Sequence, residues 1–260
     1  MARCIGRLFV GVLLVLLTVS AARAAHPIIT DDTGTQGKGK FQIELNGDWA
    51  TDKENAVDGT VREKGTKVSG ILSAGVRENI DLVLSTPYQW VDVREPNIGR
   101  AREDGFGDTV FEVKWRFFEQ KGWSLGIKPG IIIPTADDED GLGAGKVGYS
   151  TYFIAQREQK PWEFLMNLGY KRNENKLDER LDLWHASLAA EYEIAEHLDL
   201  VGNIGIETSA DKGSATDPAV LILGVIYEVR ENLDVALGVK YGLNKSGTDF
   251  SVLPGIAVRF

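Results

Sequence analysis

His185 and Ser187 stand two apart in WHASL, and four acidic residues, DDED, run from 137 to 140. A histidine carried on a strand beside a serine could take the hydroxyl proton and let the oxygen attack an acyl ester. Alternation, however, turns Trp184, Ala186, Leu188 and Tyr192 to one face and the His–Ser pair to the other. The pair therefore reads as an internal hydrogen bond, with esterase chemistry a distant alternative. DDED offers hard oxygen donors for calcium, but it lacks the spaced carboxylates and the glycine of a calcium loop. A solvated loop accounts for it. GLGAG (141–145) and GTQGKG (34–39) look like phosphate cradles, yet neither joins a strand to a helix whose N-terminus would hold the anion. No catalytic residue, metal site or cofactor is assigned.

Elements that could position such residues begin after the first 24. MARCIGRLFVGVLLVLLTVSAARA has three arginines, an apolar run from Leu8 to Val19, and small residues at Ala22 and Ala24. This is the pattern of a secretory signal peptide cleaved after Ala24. The only cysteine, Cys4, lies within it, so the expected mature chain carries no thiol. With Arg3, Arg7 and Arg23 removed, 26 basic residues face 38 acidic ones, a net charge of −12. An acidic chain without a basic stripe is a poor partner for nucleic acid.

One hexapeptide recurs: VRENID at 76–81 and VRENLD at 229–234, with a looser AEHLDL at 195–200. Each copy lies between two runs of period-2 alternation, so the repeat reads as a hairpin turn. The same template predicts twelve strands, near 40–51, 67–77, 80–91, 106–118, 123–135, 145–156, 162–171, 181–193, 197–207, 218–229, 232–242 and 249–260. Short turns then alternate with longer, mostly charged loops, including 52–66 and 92–105. An even count of strands with short turns at one end and long loops at the other is the layout of a bacterial outer-membrane barrel.

Tryptophan placement separates that barrel from a soluble sandwich. Trp49, Trp90 and Trp184 fall at the long-loop end of their strands, and Trp115, Trp123 and Trp162 at the short-turn end. Two aromatic girdles at the membrane boundaries place them there, because indole has an apolar body and one N–H that seeks water. The chain stops on Phe260, which shares a face with Val258, Ile256 and Val252 and reads as the signal for the outer-membrane insertion machinery. Outward residues meet outer-membrane lipid and lipopolysaccharide. Inward alternation collects Glu44, Asp81, Asp108, Glu112, Lys114, Arg116, Lys128, Glu191, Asp199, Asp234 and Arg259 as lumen or pore candidates. Twelve strands leave a narrower space than a sixteen-stranded porin, so these charges are expected to pair across a partly occluded passage.

Two stretches carry a resemblance. HPIITDDTGTQGKGKFQIE (26–44) and GFGDTVFEVKWRF (105–117) resemble segments of the outer-membrane proteins named for the MetA pathway of phenol degradation. The resemblance extends over the mature chain. It implies an outer-membrane channel or transporter for small, apolar or aromatic molecules, and it assigns no residue a chemical role.

The expectation is thus a leader (1–24), a periplasmic N-terminal extension (25–39) and an all-β, twelve-stranded antiparallel transmembrane barrel (40–260) that passes a small-molecule solute across the outer membrane. The extension either hangs free as a leader or tucks into the periplasmic mouth, where its carboxylates would meet Arg77 or Arg259. A closed ligand-binding or scaffold barrel is the alternative.

Overall fold

The computed structural model describes residues 26–56, 59–95 and 99–260, so the leader, with its cleavage site and Cys4, lies outside the described residues. Thirteen strands are present among them. These are β1 (Phe41–Ala56), β2 (Gly59–Arg77), β3 (Ile80–Glu95), β4 (Gly99–Phe106), β5 (Thr109–Gln120), β6 (Trp123–Ile133) and β7 (Gly148–Gln159), followed by β8 (Trp162–Arg172), β9 (Asp182–Ala195), β10 (Leu198–Glu207), β11 (Ala219–Arg230), β12 (Leu233–Gly242) and β13 (Phe250–Arg259). All pairings are antiparallel, and the wall closes where β1 meets β13.

Thirteen strands make twelve staves because β4 and β5 are two parts of one. Residues 80–85 of β3 pair with β5, and residues 88–95 pair with β4. Pro87 sits where β3 changes partner, and it has no N–H to give the ladder. Its carbonyl accepts from Gly107 N at 2.8 Å, and a Cβ on Gly107 would lie 2.6 Å from the proline ring. The twelve-stranded barrel is therefore as expected, with its fourth stave interrupted at Gly107 and Asp108.

Two of the expected loops are strand instead. Residues 52–56 and 59–66 continue β1 and β2, and residues 92–95 and 99–105 belong to the β3–β4 hairpin. Where a hairpin rises above the bilayer both faces meet water, so the alternation that marks a strand in sequence disappears while the backbone ladder continues.

The repeated hexapeptide is a turn with a bulge. Gly75 pairs with Asp81 and Arg77 with Ile80, leaving Val76 as the extra residue. Glu228 pairs with Asp234 and Arg230 with Leu233, leaving Val229; Glu193 pairs with Asp199 and Ala195 with Leu198, leaving Ile194. All three extra residues are apolar and exposed on the outside. The last turn residue before the returning strand stitches each turn to a neighbouring strand: the carbonyls of Asn79, Asn232 and His197 accept from Arg116 N, Arg259 N and Glu228 N at 2.9–3.0 Å.

The outward face is apolar and open to its surroundings, with Leu188 55% and Leu237 53% exposed. All six tryptophans are outward and exposed, and three pack against a tyrosine: Trp90 on Tyr88, Trp184 on Tyr170 and Trp162 on Tyr192. An apolar belt bounded by amphipathic rings is what a lipid-embedded barrel requires. The C-terminal residue closes the seam, exchanging Phe260 N to Phe41 O (2.8 Å) and Phe41 N to Phe260 O (3.1 Å).

Candidate functional site: a lumen occupied by the N-terminal segment

From Phe41 at the short-turn end, the chain preceding β1 turns back and runs up inside the barrel. Gly37 and Gly39 make that turn at positive φ (83° and 79°), and Gly39 N donates to Gly75 O at 2.8 Å. A Cβ on Gly75 would lie 1.8 Å from Gly37 O, so only glycine lets the segment pass this close to the wall.

Farther along the segment, alternate N–H groups find side-chain acceptors on β7, β8 and β10. Thr33 N donates to Gln156 Oε1 (2.9 Å), Asp31 N to Asn167 Oδ1 (2.7 Å) and Ile29 N to Asn203 Oδ1 (2.7 Å). Asn167 Nδ2 returns a bond to Asp31 O at 2.8 Å, and Asn203 Nδ2 one to Thr30 Oγ1 at 2.7 Å. The Thr33 and Ser124 hydroxyls lie 2.6 Å apart. A segment with no strand beside it must satisfy its backbone in some other way, and these inward amides do so.

The two carboxylates of the segment meet two lysines of the wall. Asp31 Oδ1 lies 2.9 Å from Lys114 Nζ, Asp31 Oδ2 2.7 Å from Lys128 Nζ, and Asp32 Oδ1 2.7 Å from Lys114 Nζ. Glu112 completes the group at 3.4 Å from Lys128. The segment is thus neither a free periplasmic leader nor seated at the mouth against Arg77 or Arg259. It reaches deeper because the opposite charges that hold it are at the middle of β5 and β6. Ile28 enters an apolar pocket of Leu165, Ala189, Val201 and Ile226, all buried, on β8 to β11. The inner wall accordingly has an apolar zone that a reading centred on charge does not anticipate.

The other inward residues fall into three places. Glu44 and Asp81 lie beside the segment, Glu44 accepting from Gln42 Nε2 (2.8 Å) and Asp81 from Gln36 N (2.9 Å). Arg116, Glu191, Asp199, Asp234 and Arg259 border a cavity of about 340 Å³ at the short-turn end. There Arg116 pairs with Glu119 at 3.1 Å and Arg259 with Asp234. Lys114 and Lys128 thus pair with the segment, and Arg116 and Arg259 pair along the wall. Asp108 belongs to the opposite end, where it accepts from Ala136 N (3.2 Å) and Ala144 N (2.8 Å) and anchors the loop between β6 and β7.

The motifs weighed for chemistry have local roles. His185 Nε2 and Ser187 Oγ are 2.9 Å apart, and Glu207 Oε2 is 3.8 Å from His185 Nδ1. Ser187 is 4% exposed, and Ile29 packs beside it over Gly205, so no acyl group reaches the hydroxyl while the segment is seated. In DDED, Asp138 pairs with Lys176 at 2.9 Å, and Asp137 accepts from Glu139 N at 3.0 Å. Leu142 of GLGAG is buried against Gly105. Sequence reasoning passed over Asn167, Asn203, Gln156 and Ser124. An inward asparagine at mid-strand was the available signal, because a buried amide needs partners that its own strand does not supply.

A family model described as "Putative MetA-pathway of phenol degradation" matches residues 27–260. Among solved structures, the COG4313 outer membrane channel from Pseudomonas putida F1 superposes with a TM-score of 0.65 at 11% identity, covering 88% of this chain and 98% of that one. The KdgM porin gives 0.55 at 9% identity, covering 84% and 99%. The translocator domain of the autotransporter NalP from Neisseria meningitidis gives 0.54 at 14% identity, covering 86% and 89%. At these identities the likeness is one of fold. No curated protein sequence matches the chain at a significant level.

Proposed function

Since the chain belongs to the family described as MetA-pathway of phenol degradation, we propose that it is an outer-membrane channel for small apolar or aromatic molecules, closed by its own N-terminal segment and opened when that segment leaves the lumen. The observation that carries this reading is the seat of the segment. Ile28 occupies an apolar pocket lined by β8 to β11, Asp31 of the same segment holds Lys114 and Lys128, and withdrawal of the segment uncovers both. An apolar floor beside a few fixed polar groups suits a small ring with one polar substituent. The family description supports the solute class, and the channel and porin neighbours support a non-enzymatic role.

The filled lumen also favours a second reading, a barrel that stays shut and serves as a scaffold. Uptake of a labelled monoaromatic by cells producing the parent or an Asp31→Ala/Asn167→Ala protein separates the two, because a lipopolysaccharide-bearing outer membrane slows apolar solutes. The channel reading expects uptake to rise above that of cells lacking the protein, and further in the released variant. Uptake equal in all three, with folded barrel verified, would leave the scaffold.

A further inference from the structure

We infer that the outer face of the β1 to β4 hairpins is a binding surface for lipopolysaccharide, recognised through the phosphates next to its acyl chains. The inference is independent of the solute and of the gate.

The surface starts at the aromatic girdle of the long-loop end. Trp49, Thr66 and Trp90 are ladder partners, and both tryptophans are exposed on the outside. Ladder partners share a face, and so do residues two apart on one strand. The next outward row is therefore Thr51, Lys64, Asp92 and Arg102, and the row beyond it Lys53, Arg62, Arg94 and Arg100. Both rows stand within about 14 Å of the girdle along the strands. Indole rings mark the level of lipid headgroups, and the long-loop end of such a barrel faces the cell exterior. The first polar layer beside these rows belongs to the outer leaflet.

Charge is sorted between the two faces of the hairpins. Six bases stand in the two outer rows against Asp92, with Asp104 beside Trp90 in the row below, where it accepts from the Tyr88 hydroxyl at 2.6 Å. The two inner rows, starting from Ala50 and Asp52, hold Asp52, Glu63 and Glu103 and, among the described residues, no base. Lys67 follows one row lower, opposite Asp48. Asp249 donates its N–H to Asp52 and accepts from Lys53 N at 3.1 Å. The acidic loop at 137–140 also attaches inside, since Leu142 meets Gly105 and its carbonyl accepts from Gln89 Nε2 at 2.9 Å. Both faces are wet, yet water alone gives no reason to separate bases from acids in a chain of net charge −9. An anionic layer outside does.

The geometry suits phosphate. Asp92 receives Arg100 through both carboxylate oxygens, with Nε at 2.7 Å, and Arg102 Nε lies 3.3 Å and Arg94 Nε 4.0 Å from it. Three guanidiniums against one carboxylate leave a net charge of +2. Each guanidinium fork carries several N–H donors, so Arg94 and Arg102 keep most of theirs for phosphate oxygens. Lys53, Arg62 and Lys64 extend the patch onto β1 and β2, which suits an anion with more than one phosphate.

The test uses the folded barrel purified in uncharged detergent. Native mass spectrometry follows binding of lipid A, the acylated anchor of lipopolysaccharide, with both its phosphates, of the same lipid after dephosphorylation, and of phosphatidylglycerol. The surface predicts that phosphorylated lipid A binds at least about tenfold more tightly than either of the others. Arg62→Gln/Lys64→Gln, and separately Arg94→Gln/Arg102→Gln, should each cost about tenfold of that affinity. Lys121→Gln/Lys160→Gln, which removes the same charge at the short-turn end, should leave it unchanged. Heat-dependent gel mobility verifies the fold of each variant. Equal affinity for the three lipids, equal loss in all three variants, or an upper pair that binds as the parent does overturns the inference.

Discussion

Asp31 and Lys128 are joined Oδ2 to Nζ at 2.7 Å, although one precedes the first strand and the other stands on β6. Lys114 on β5 holds the second oxygen of the same carboxylate at 2.9 Å, so a single side chain ties the segment to two staves. Losing one partner of a buried ion pair costs on the order of 3–5 kcal/mol. Here the loss falls on the seating of the segment rather than on the strand ladder. Asp31→Ala is expected to raise single-channel conductance several-fold over the parent in planar bilayers, with unchanged heat-dependent gel mobility.

The two basic residues of β5 should differ. Lys114 holds both Asp31 and Asp32, whereas Arg116 pairs with Glu119 near the mouth. Lys114→Ala should therefore open the barrel as Asp31→Ala does, and Arg116→Ala should change conductance much less. Equal effects in the same bilayer recordings would shift the constriction from the segment to the mouth.

Asn167 and Asn203 carry the backbone of the segment without any charge. Each makes at least two bonds to it, and a buried partner left unsatisfied costs about 1–3 kcal/mol. Asn167→Ala should make the bond after Lys38 or Lys40 more sensitive to trypsin, measured as the rate of N-terminal peptide release from folded protein. Asn203→Ala should act in the same direction, and the double variant more than either.

On the outer surface, Leu237→Arg should block assembly, because an arginine at the bilayer midplane of such a barrel costs about 2–4 kcal/mol. Ser85→Arg on the inner face should be tolerated far better. Recovery of folded barrel from membranes, compared by gel mobility before heating, checks the assignment of faces.

Deleting Phe260 removes the two backbone seam bonds to Phe41 together with the terminal aromatic, whereas changing it to Asp removes the aromatic alone. Outer-membrane levels should fall while export to the periplasm continues. Unchanged insertion would leave Phe260 as an ordinary seam residue.

The barrel was legible in the sequence wherever one face meets lipid. Leu233, Val235, Leu237, Val239 and Tyr241 alternate strictly, and β12 is found within a residue of its expected bounds. The upper parts of β1 to β3, and β4, were missed because water on both faces removes the alternation, and the break at Pro87 and Gly107 depends on a partner change that no local pattern encodes. In the lumen, Lys114, Lys128 and Glu112 could be placed by parity. Their partner could not, because Asp31 lies in a glycine-rich stretch whose path through the barrel is decided by contacts with Gly75, Asn167 and Asn203, remote in sequence. The repeated turn was readable as a turn, but the outward Val76, Ile194 and Val229 of its bulges appear only once the register is known.

That the N-terminal segment gates the lumen is tested most directly by fastening it. Thr33 and Ser124 bring their hydroxyls to 2.6 Å, and the expected mature chain has no cysteine of its own. Thr33→Cys/Ser124→Cys in an Asp31→Ala background should form one disulfide between segment and wall, confirmed by intact mass. Planar-bilayer conductance should then be low when the protein is oxidised and rise to the level of Asp31→Ala alone after reduction. The same conductance before and after reduction, with the cross-link verified, would contradict a gate built from residues 26–40.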